Sequence, residues 1–181
     1  MTEIEIKAHV TDPDITEQTI RSLAEFSRES RKRDVYWVCN SGSPVKIRIR
    51  EENDCITVTY KRKEIRDSIE INDEQEFAVS DRRAFETLIT DLGFSISSEK
   101  EKITRSFCYK TGDGPTVTIE LSLVAGLGWF IELEILAESP GEQEISRDRN
   151  ILRELLGRCG IPREAIEPRF YTEMLGEVSG S

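Results

Sequence analysis

Three charged residues near the amino terminus, Glu3, Glu5 and Lys7, alternate with Ile4 and Ile6. Side chains in a β-strand point to opposite faces in turn, so the three charges share one face and the two isoleucines share the other. Two carboxylates beside an ammonium group have the chemistry to hold a divalent cation next to an anion. The alternative is a polar sheet face in contact with water, which is common in antiparallel sheets.

Later segments repeat this alternation, and each of them carries charge of one sign. The acidic residues that share strand faces are Glu3, Glu5, Glu132 and Glu134, and the basic ones are Lys46, Arg48, Arg50, Lys61, Lys100 and Lys102. Like charges along one face repel unless an opposite charge lies among them. A barrel of about eight strands with these charges inside would suit a chain of phosphates with Mg²⁺ or Mn²⁺. A solvated antiparallel sheet face remains the alternative.

Composition narrows the classes of function. A formal net charge of −10 over 181 residues argues against nucleic acid or an anionic membrane as the partner. A single histidine, His9, removes most zinc sites and the Ser-His and Cys-His nucleophile arrangements. Four widely spaced cysteines and the lack of a signal-peptide pattern predict reduced thiols and a cytoplasmic location. The sequence contains no GxxxxGK[ST] phosphate loop.

The pattern predicts strands and helices that recur in a similar order in the two halves of the chain. Strands are expected over residues 3–7, 33–39, 46–50, 56–61, 103–109, 116–123 and 129–136, with an extended segment over 65–79. One helix opens at residues 11–14 and carries Phe26, a second runs from Asp81 to Gly93, and a third is capped by Ser146 and ended by Gly160. We expect a single α+β domain over residues 1–175, followed by a flexible tail over 176–181.

Motifs along nearly the whole chain resemble those of the CYTH superfamily, the triphosphate tunnel metalloenzymes. They stand here as Glu3-Ile4-Glu5-Ile6-Lys7, Asp34-Val35-Tyr36, Ile47-Arg48-Ile49-Arg50, Thr59-Tyr60-Lys61, Glu74 with Glu76, Lys100-Glu101-Lys102, the stretch Gly126 to Glu134, and Glu167-Pro168-Arg169-Phe170-Tyr171. Two positions depart from the family pattern. Ser122 stands where an acidic residue is usual, with Glu120 two residues earlier on the same strand face, and Phe170 replaces the usual serine.

The resemblance implies a closed antiparallel eight-stranded β-barrel, the triphosphate tunnel, with helices packed outside. It implies that Mg²⁺ or Mn²⁺ is bound by Glu3, Glu5, Glu132 and Glu134. It implies that phosphates are bound by Lys7, Arg48, Arg50, Lys61, Lys100 and Lys102, and that catalysis depends on Lys7, Arg50 and Glu134. Packing or orienting roles are expected for Tyr36, Tyr60 and Tyr171. Two alternatives stay open for Glu74 and Glu76, which contact either the metal or basic neighbours.

The motifs are most similar to those of class IV adenylyl cyclases, which convert ATP to cyclic AMP and pyrophosphate. The alternatives are a thiamine triphosphatase or an inorganic tripolyphosphatase, and a module that binds nucleotide or polyphosphate without turnover, for which Ser122 is the motivation. The expected partner is therefore a small molecule with a triphosphate group, such as ATP, thiamine triphosphate or tripolyphosphate. Whether the chain forms a homodimer is left open by the sequence.

Overall fold

The computed structural model describes residues 2–41, 45–53, 55–66, 69–112, 114–138 and 140–179, with side chains for all of these except 45, 61–66, 69–74 and 178–179. The strands are β1 (Thr2–His9), β2 (Glu25–Cys39), β3 (Val45–Glu52), β4 (Cys55–Arg66), β5 (Ile69–Ala78), β6 (Phe94–Lys110), β7 (Thr116–Val124) and β8 (Gly128–Ala137). The helices are α1 (Pro13–Leu23), α2 (Arg82–Asp91), α3 (Glu142–Arg158) and α4 (Tyr171–Ser179), with a 3₁₀ turn at Arg163–Ala165. None of the helices in these ranges is long and apolar enough to cross a membrane.

The strands form one antiparallel sheet in the order β1-β8-β7-β6-β2-β3-β4-β5. Sequential strands pair as hairpins from β2 to β5 and from β6 to β8, whereas β1 pairs with β8, the last strand of the chain. The prediction of an α+β fold with an eight-stranded antiparallel sheet is confirmed. The pairings in the described ranges end at β1 and at β5, so they do not confirm that the sheet closes into a barrel.

Two compact units divide the chain, and each has its own apolar core. The first unit comprises Met1–Ser30 and Lys102–Phe170, and the second comprises Arg31–Glu101 and Tyr171–Ser181. In the first unit α3 packs against β1 and β8, and its leucines join the alternate apolar residues of the strands. The apolar core of the second unit is formed by Val35, Trp37, Ile47, Ile49, Val58 and Ile89. Period-two alternation leaves the charged faces of the strands opposite these cores.

Helix starts follow local side-chain capping where the sequence provides an aspartate. The carboxylate of Asp12 accepts a hydrogen bond from the Ile15 N–H at 3.1 Å, and that of Asp81 accepts one from the Ala84 N–H at 2.9 Å. Each of these bonds satisfies one of the free N–H groups in the first turn. The predicted starts of α1 and α2 are therefore confirmed.

Two helix boundaries differ from the prediction. Helix α1 ends at Leu23 and β2 begins at Glu25, so the assignment of Phe26 to the helix is wrong. The Phe26 ring instead packs edge-on against the Phe107 ring at 5.5 Å, a contact between distant parts of the chain that outweighs the local helical spacing.

Helix α3 begins before the predicted cap. Its first residue is Glu142, and Gly141 is the N-cap, whereas Ser146 lies inside the helix. The carboxylate of Glu144 accepts a hydrogen bond from the Gly141 N–H at 3.0 Å, which stabilises the earlier start. The predicted stop is confirmed, because Gly160 follows the helix with a φ of 80°.

Candidate functional site

Four carboxylates lie on one face of the paired strands β1 and β8. The register places Glu5 opposite Glu134 and Lys7 opposite Glu132, with Glu3 two residues before Glu5. Desolvation, followed by repulsion from Glu132 and Glu3, raises the pKa of Glu5 to about 7. Desolvation, followed by repulsion from Glu3, raises the pKa of Glu134 to about 8. Burial and the repulsion among these carboxylates therefore both disfavour their charged forms in this cluster.

This carboxylate group suits a hard cation by the chemistry of its donors, because Mg²⁺ and Mn²⁺ take carboxylate oxygens as ligands. Within the described ranges, no three His, Cys, Asp or Glu side chains are already arranged as a metal-binding group. The two raised pKa values are the feature that a cation fits, since positive charge would relieve the repulsion among Glu3, Glu5 and Glu134.

Lys102 on β6 is the buried cation beside this group. Its ammonium lies 3.0 Å from Glu120 and 2.5 Å from Glu132, and the residue is only 5% exposed. Burial alone lowers the pKa of Lys102, but the charges and hydrogen bonds of Glu132 and Glu120 outweigh it, so the pKa is raised. Lys102 thus joins the carboxylates of β7 and β8.

Glu120 joins the site although it was not among the predicted metal ligands. The register places it opposite Glu132 on one side and opposite Ser106 on the other. The hydroxyl of Ser106 donates to its carboxylate at 3.3 Å. Ser122, the departure from the family pattern, is fully buried, and its hydroxyl shares a 2.9 Å hydrogen bond with Thr104. In the sequence, the spacing of two residues between Glu120 and Ser122 indicated that Glu120 lies on the strand face where the family has its acidic residue.

The segment around Glu167 fixes the end of β1 next to Lys7. The Glu167 N–H donates to the Lys7 carbonyl at 2.8 Å, and the Lys7 ammonium donates to the Arg169 carbonyl. The carboxylate of Glu167 accepts from the Arg169 guanidinium at 2.9 and 2.6 Å and lies 3.1 Å from His9 Nε2. These hydrogen bonds, led by those from Arg169, hold the pKa of Glu167 well below its usual range.

A second charged cluster, the basic cluster, lies in the second unit and is centred on Asp34. Arg50 donates from Nε to Asp34 Oδ1 at 2.7 Å and from Nη2 to Oδ2 at 2.9 Å. Lys100 Nζ lies 3.1 Å from Asp34 Oδ2. Burial alone would raise the pKa of Asp34, but the hydrogen bonds from Arg50 and the charge of Lys100 outweigh burial and hold it well below the usual range.

Arg48 belongs to the same cluster and sits in register with two further polar residues. The register aligns Arg48, Thr59 and Glu76 across β3, β4 and β5. Arg48 Nη2 donates to Thr59 Oγ1 at 2.8 Å, and the Thr59 hydroxyl donates to Glu76 at 3.1 Å. Glu76 also lies 3.7 Å from Arg48, so it contacts a basic neighbour. In the described part of the chain, Arg48 Nε is buried without a hydrogen-bond partner.

The other basic, acidic and tyrosine residues named in the sequence analysis have different surroundings. Lys46 is exposed on β3, and the side chains of Lys61 and Glu74 lie outside those described. The Tyr36 hydroxyl donates to Asp34 at 3.4 Å, and desolvation raises the pKa of Tyr36 to about 12. Tyr60 packs against the core of the second unit. The Lys100 ammonium lies 4.8 Å from the centre of the Tyr171 ring.

Comparisons with known proteins identify the family of the chain and its structural relatives. The chain is 27% identical, over 97% of its length and 99% of the relative, to a Methanocaldococcus jannaschii protein named "Putative adenylate cyclase". A solved Pyrococcus horikoshii structure is 28% identical with a TM-score of 0.77, covering 97% of this chain and 99% of the other. A Hippeastrum protein described as a "putative adenylyl cyclase" with dominant triphosphatase activity shares the fold at 16% identity and a TM-score of 0.61, covering 99% and 97% of the two chains. The CYTH domain model matches residues 1–171, so the chain belongs to the CYTH domain family.

Proposed function

We propose that this protein is a divalent-metal-dependent enzyme that converts a triphosphate substrate, with the conversion of ATP to cyclic AMP and pyrophosphate as the leading reaction. The relative from Methanocaldococcus jannaschii supports that choice by its name. The proposal includes closure of the sheet into the eight-stranded barrel that the family resemblance implies.

One observation carries the proposal: the charges are sorted into an acidic and a basic cluster, and each has an excess of its own sign. In the acidic cluster, desolvation, followed by repulsion from neighbouring carboxylates, raises the pKa values of Glu5 and Glu134. In the basic cluster, Arg48 keeps a buried Nε donor without an acceptor in the described ranges. Carboxylates suit a divalent cation and guanidinium groups suit phosphate oxygens, and a metal-triphosphate substrate contains both.

The roles of the residues follow from their charges. Glu3, Glu5, Glu132 and Glu134 would hold the metal, which when bound offsets charge on the phosphates and the leaving group. The phosphates would be bound by Lys7, Arg48, Arg50, Lys61, Lys100 and Lys102. In cyclisation the ribose 3′-hydroxyl loses its proton to solvent and its oxygen bonds to the α-phosphorus. The bond from that phosphorus to the bridging oxygen breaks, the electron pair stays on that oxygen, and pyrophosphate leaves. Fixed cations near the phosphates would stabilise the charge that develops in this step.

Hydrolysis of the terminal phosphate is the second candidate. The same residues could orient a water molecule towards the terminal phosphorus. The triphosphatase activity described for the Hippeastrum protein supports hydrolysis as an alternative reaction. The choice depends on which phosphorus faces the nucleophile, a property of substrate placement and not of residue type. Binding without turnover is the third outcome. Ser122, in the position where the family has an acidic residue, motivates this alternative. Glu120, which accepts a hydrogen bond from Lys102 at 3.0 Å on the same strand face, would take the place of that residue if the protein is an enzyme.

The test is a product assay with purified protein and Mg²⁺ or Mn²⁺, supplied separately with ATP, thiamine triphosphate and tripolyphosphate. Cyclic AMP and pyrophosphate in equal amounts from ATP support the leading reaction, and release of phosphate from any of the three supports hydrolysis. Tight binding of a metal-triphosphate with no product supports the binding module. No binding and no product with all three substrates refutes the proposal.

A matched pair of variants tests the roles. Glu134→Gln should abolish metal-dependent turnover and leave the protein at least as stable, because the raised pKa of Glu134 shows that its charge is unfavourable in the fold. Glu154→Gln, on an exposed position of α3, removes the same charge and should keep wild-type activity. Equal activity in the two variants contradicts the assignment of Glu134.

A further inference from the structure

Asp34 is a buried carboxylate on β2 that the proposed function leaves without a role. The residue is fully buried, and it receives two hydrogen bonds from Arg50 of β3, at 2.7 and 2.9 Å. The ammonium of Lys100, on β6, lies 3.1 Å from the same carboxylate. A buried carboxylate in contact with cations from two other strands connects three strands of the second unit through one group.

The geometry at Asp34 restricts how Arg50 can move. A guanidinium group that donates two parallel bonds to one carboxylate is held in both position and plane, which a single contact does not achieve. Because Asp34 has no contact with solvent, water does not compete for these bonds.

Lys100 is restricted in a similar way. Its ammonium lies 4.8 Å from the centre of the Tyr171 ring and 5.9 Å from that of Tyr36, and the residue is 7% exposed. Aromatic rings attract cations at these distances, so the ammonium is held by Asp34 and by two rings. The Tyr36 hydroxyl also donates to Asp34, at 3.4 Å.

We propose that Asp34 is a positioning residue, which holds Arg50 and Lys100 in fixed places so that an anionic substrate meets two cations already in position. The inference rests on the proposed function for the substrate, a triphosphate, and goes beyond it by assigning the residue that orders the cations. Positioning strengthens binding because side chains that are already ordered lose little freedom when the ligand arrives.

The sign of the change in anion affinity separates positioning from simple neutralisation. If Asp34 only offset positive charge, Asp34→Asn would leave the basic cluster more positive and would tighten the binding of an anion. If Asp34 holds Arg50 and Lys100, the same variant loosens both side chains and weakens binding in spite of the added positive charge. The two interpretations predict changes of opposite sign.

The first experiment measures inorganic tripolyphosphate binding by calorimetry for the wild type, Asp34→Asn and Glu99→Gln. Glu99 is paired with Arg33 at 2.9 Å on the exposed surface of the same unit, so the control variant adds the same charge and also breaks an ion pair. We expect the dissociation constant to rise at least about tenfold in Asp34→Asn and to change by less than about twofold in Glu99→Gln. Equal or tighter binding by Asp34→Asn overturns the proposal.

The second experiment needs no ligand and reads the order of Arg50 directly by NMR of its Nε–H group, identified by its loss in Arg50→Lys. In the wild type we expect a rigid, slowly exchanging signal, and in Asp34→Asn a mobile, rapidly exchanging one. A mobile Arg50 in the wild type overturns the proposal even if Asp34→Asn does not fold, and so does a signal that is equally rigid in the variant.

The two experiments also distinguish this inference from the proposed function. If the wild type binds no triphosphate, the proposed function fails, and the NMR comparison still decides whether Asp34 orders Arg50. If the wild type binds tripolyphosphate and Asp34→Asn binds it as well, the proposed function survives and the role of Asp34 is refuted.

Discussion

Replacement of Lys102 by methionine is expected to lower the free energy of unfolding by about 3–5 kcal/mol, the range found when one partner of a buried ion pair is removed. The ammonium lies 3.0 Å from Glu120 and 2.5 Å from Glu132, and Lys102 is 5% exposed. Because the register places Glu120 opposite Glu132, the variant removes the ammonium that contacts both of these facing carboxylates. Methionine keeps most of the side-chain volume, so a cavity contributes little to the loss.

The assay is equilibrium unfolding in urea near neutral pH, with a chelator present and with circular dichroism as the signal. We expect the midpoint to fall with no change of slope, which identifies a change in stability. Lys110→Met, at the exposed end of the same strand, serves as the control and should change stability by less than about 0.5 kcal/mol. A loss below about 1 kcal/mol in Lys102→Met refutes a strong buried ion pair between Lys102 and the two carboxylates, because surface salt bridges contribute that little.

A double-mutant cycle separates the ion pair from packing. Lys102→Met and Glu132→Gln each remove one partner, whereas the double variant removes both charges. The double variant should be less destabilised than the sum of the two single variants by about 1–3 kcal/mol, because residues in direct contact are coupled. Additive losses would mean that the two side chains do not interact.

Three further predictions concern other parts of the molecule. Leu121→Ala, in the fully buried core of the first unit, should lower the free energy of unfolding by about 2–5 kcal/mol in urea, and a loss below about 1 kcal/mol would contradict the packing described here. The pKa of Asp34 is lowered in the folded protein, so its charge contributes stability that is present above the unfolded pKa of about 3.9 and is lost as the pH falls below it. The wild type should therefore lose more stability than Asp34→Asn between about pH 5 and pH 2. Parallel losses in the two proteins would argue against the ion pair. A thiol reagent should modify the exposed Cys55 in the native protein but should modify Cys159 only after unfolding. Cys159 is 1% exposed, and burial raises the pKa of its thiol to about 11. Equal rates of modification at the two thiols would contradict the burial of Cys159.

The amino-acid sequence by itself determined the local features of this protein. Alternation with a period of two assigned Glu3, Glu5 and Lys7 to one face of β1, because neighbouring side chains in a strand must point in opposite directions. Asp12 and Asp81 set the starts of two helices, since their carboxylates bond to N–H groups three residues later. These features depend on residues close together in the chain, so they can be inferred without a fold.

Only the tertiary structure decided which of these local features meet. That β1 pairs with β8, with Glu5 opposite Glu134, depends on a contact across most of the chain, and a shift of one residue would turn every side chain to the other face. Lys102 meets Glu132, and Asp34 meets Lys100, across strands that are not neighbours in sequence, and the end of α1 depends on where the Phe26 ring packs. Strand order and register arise from long-range packing against the two cores, which a local pattern of residues does not encode.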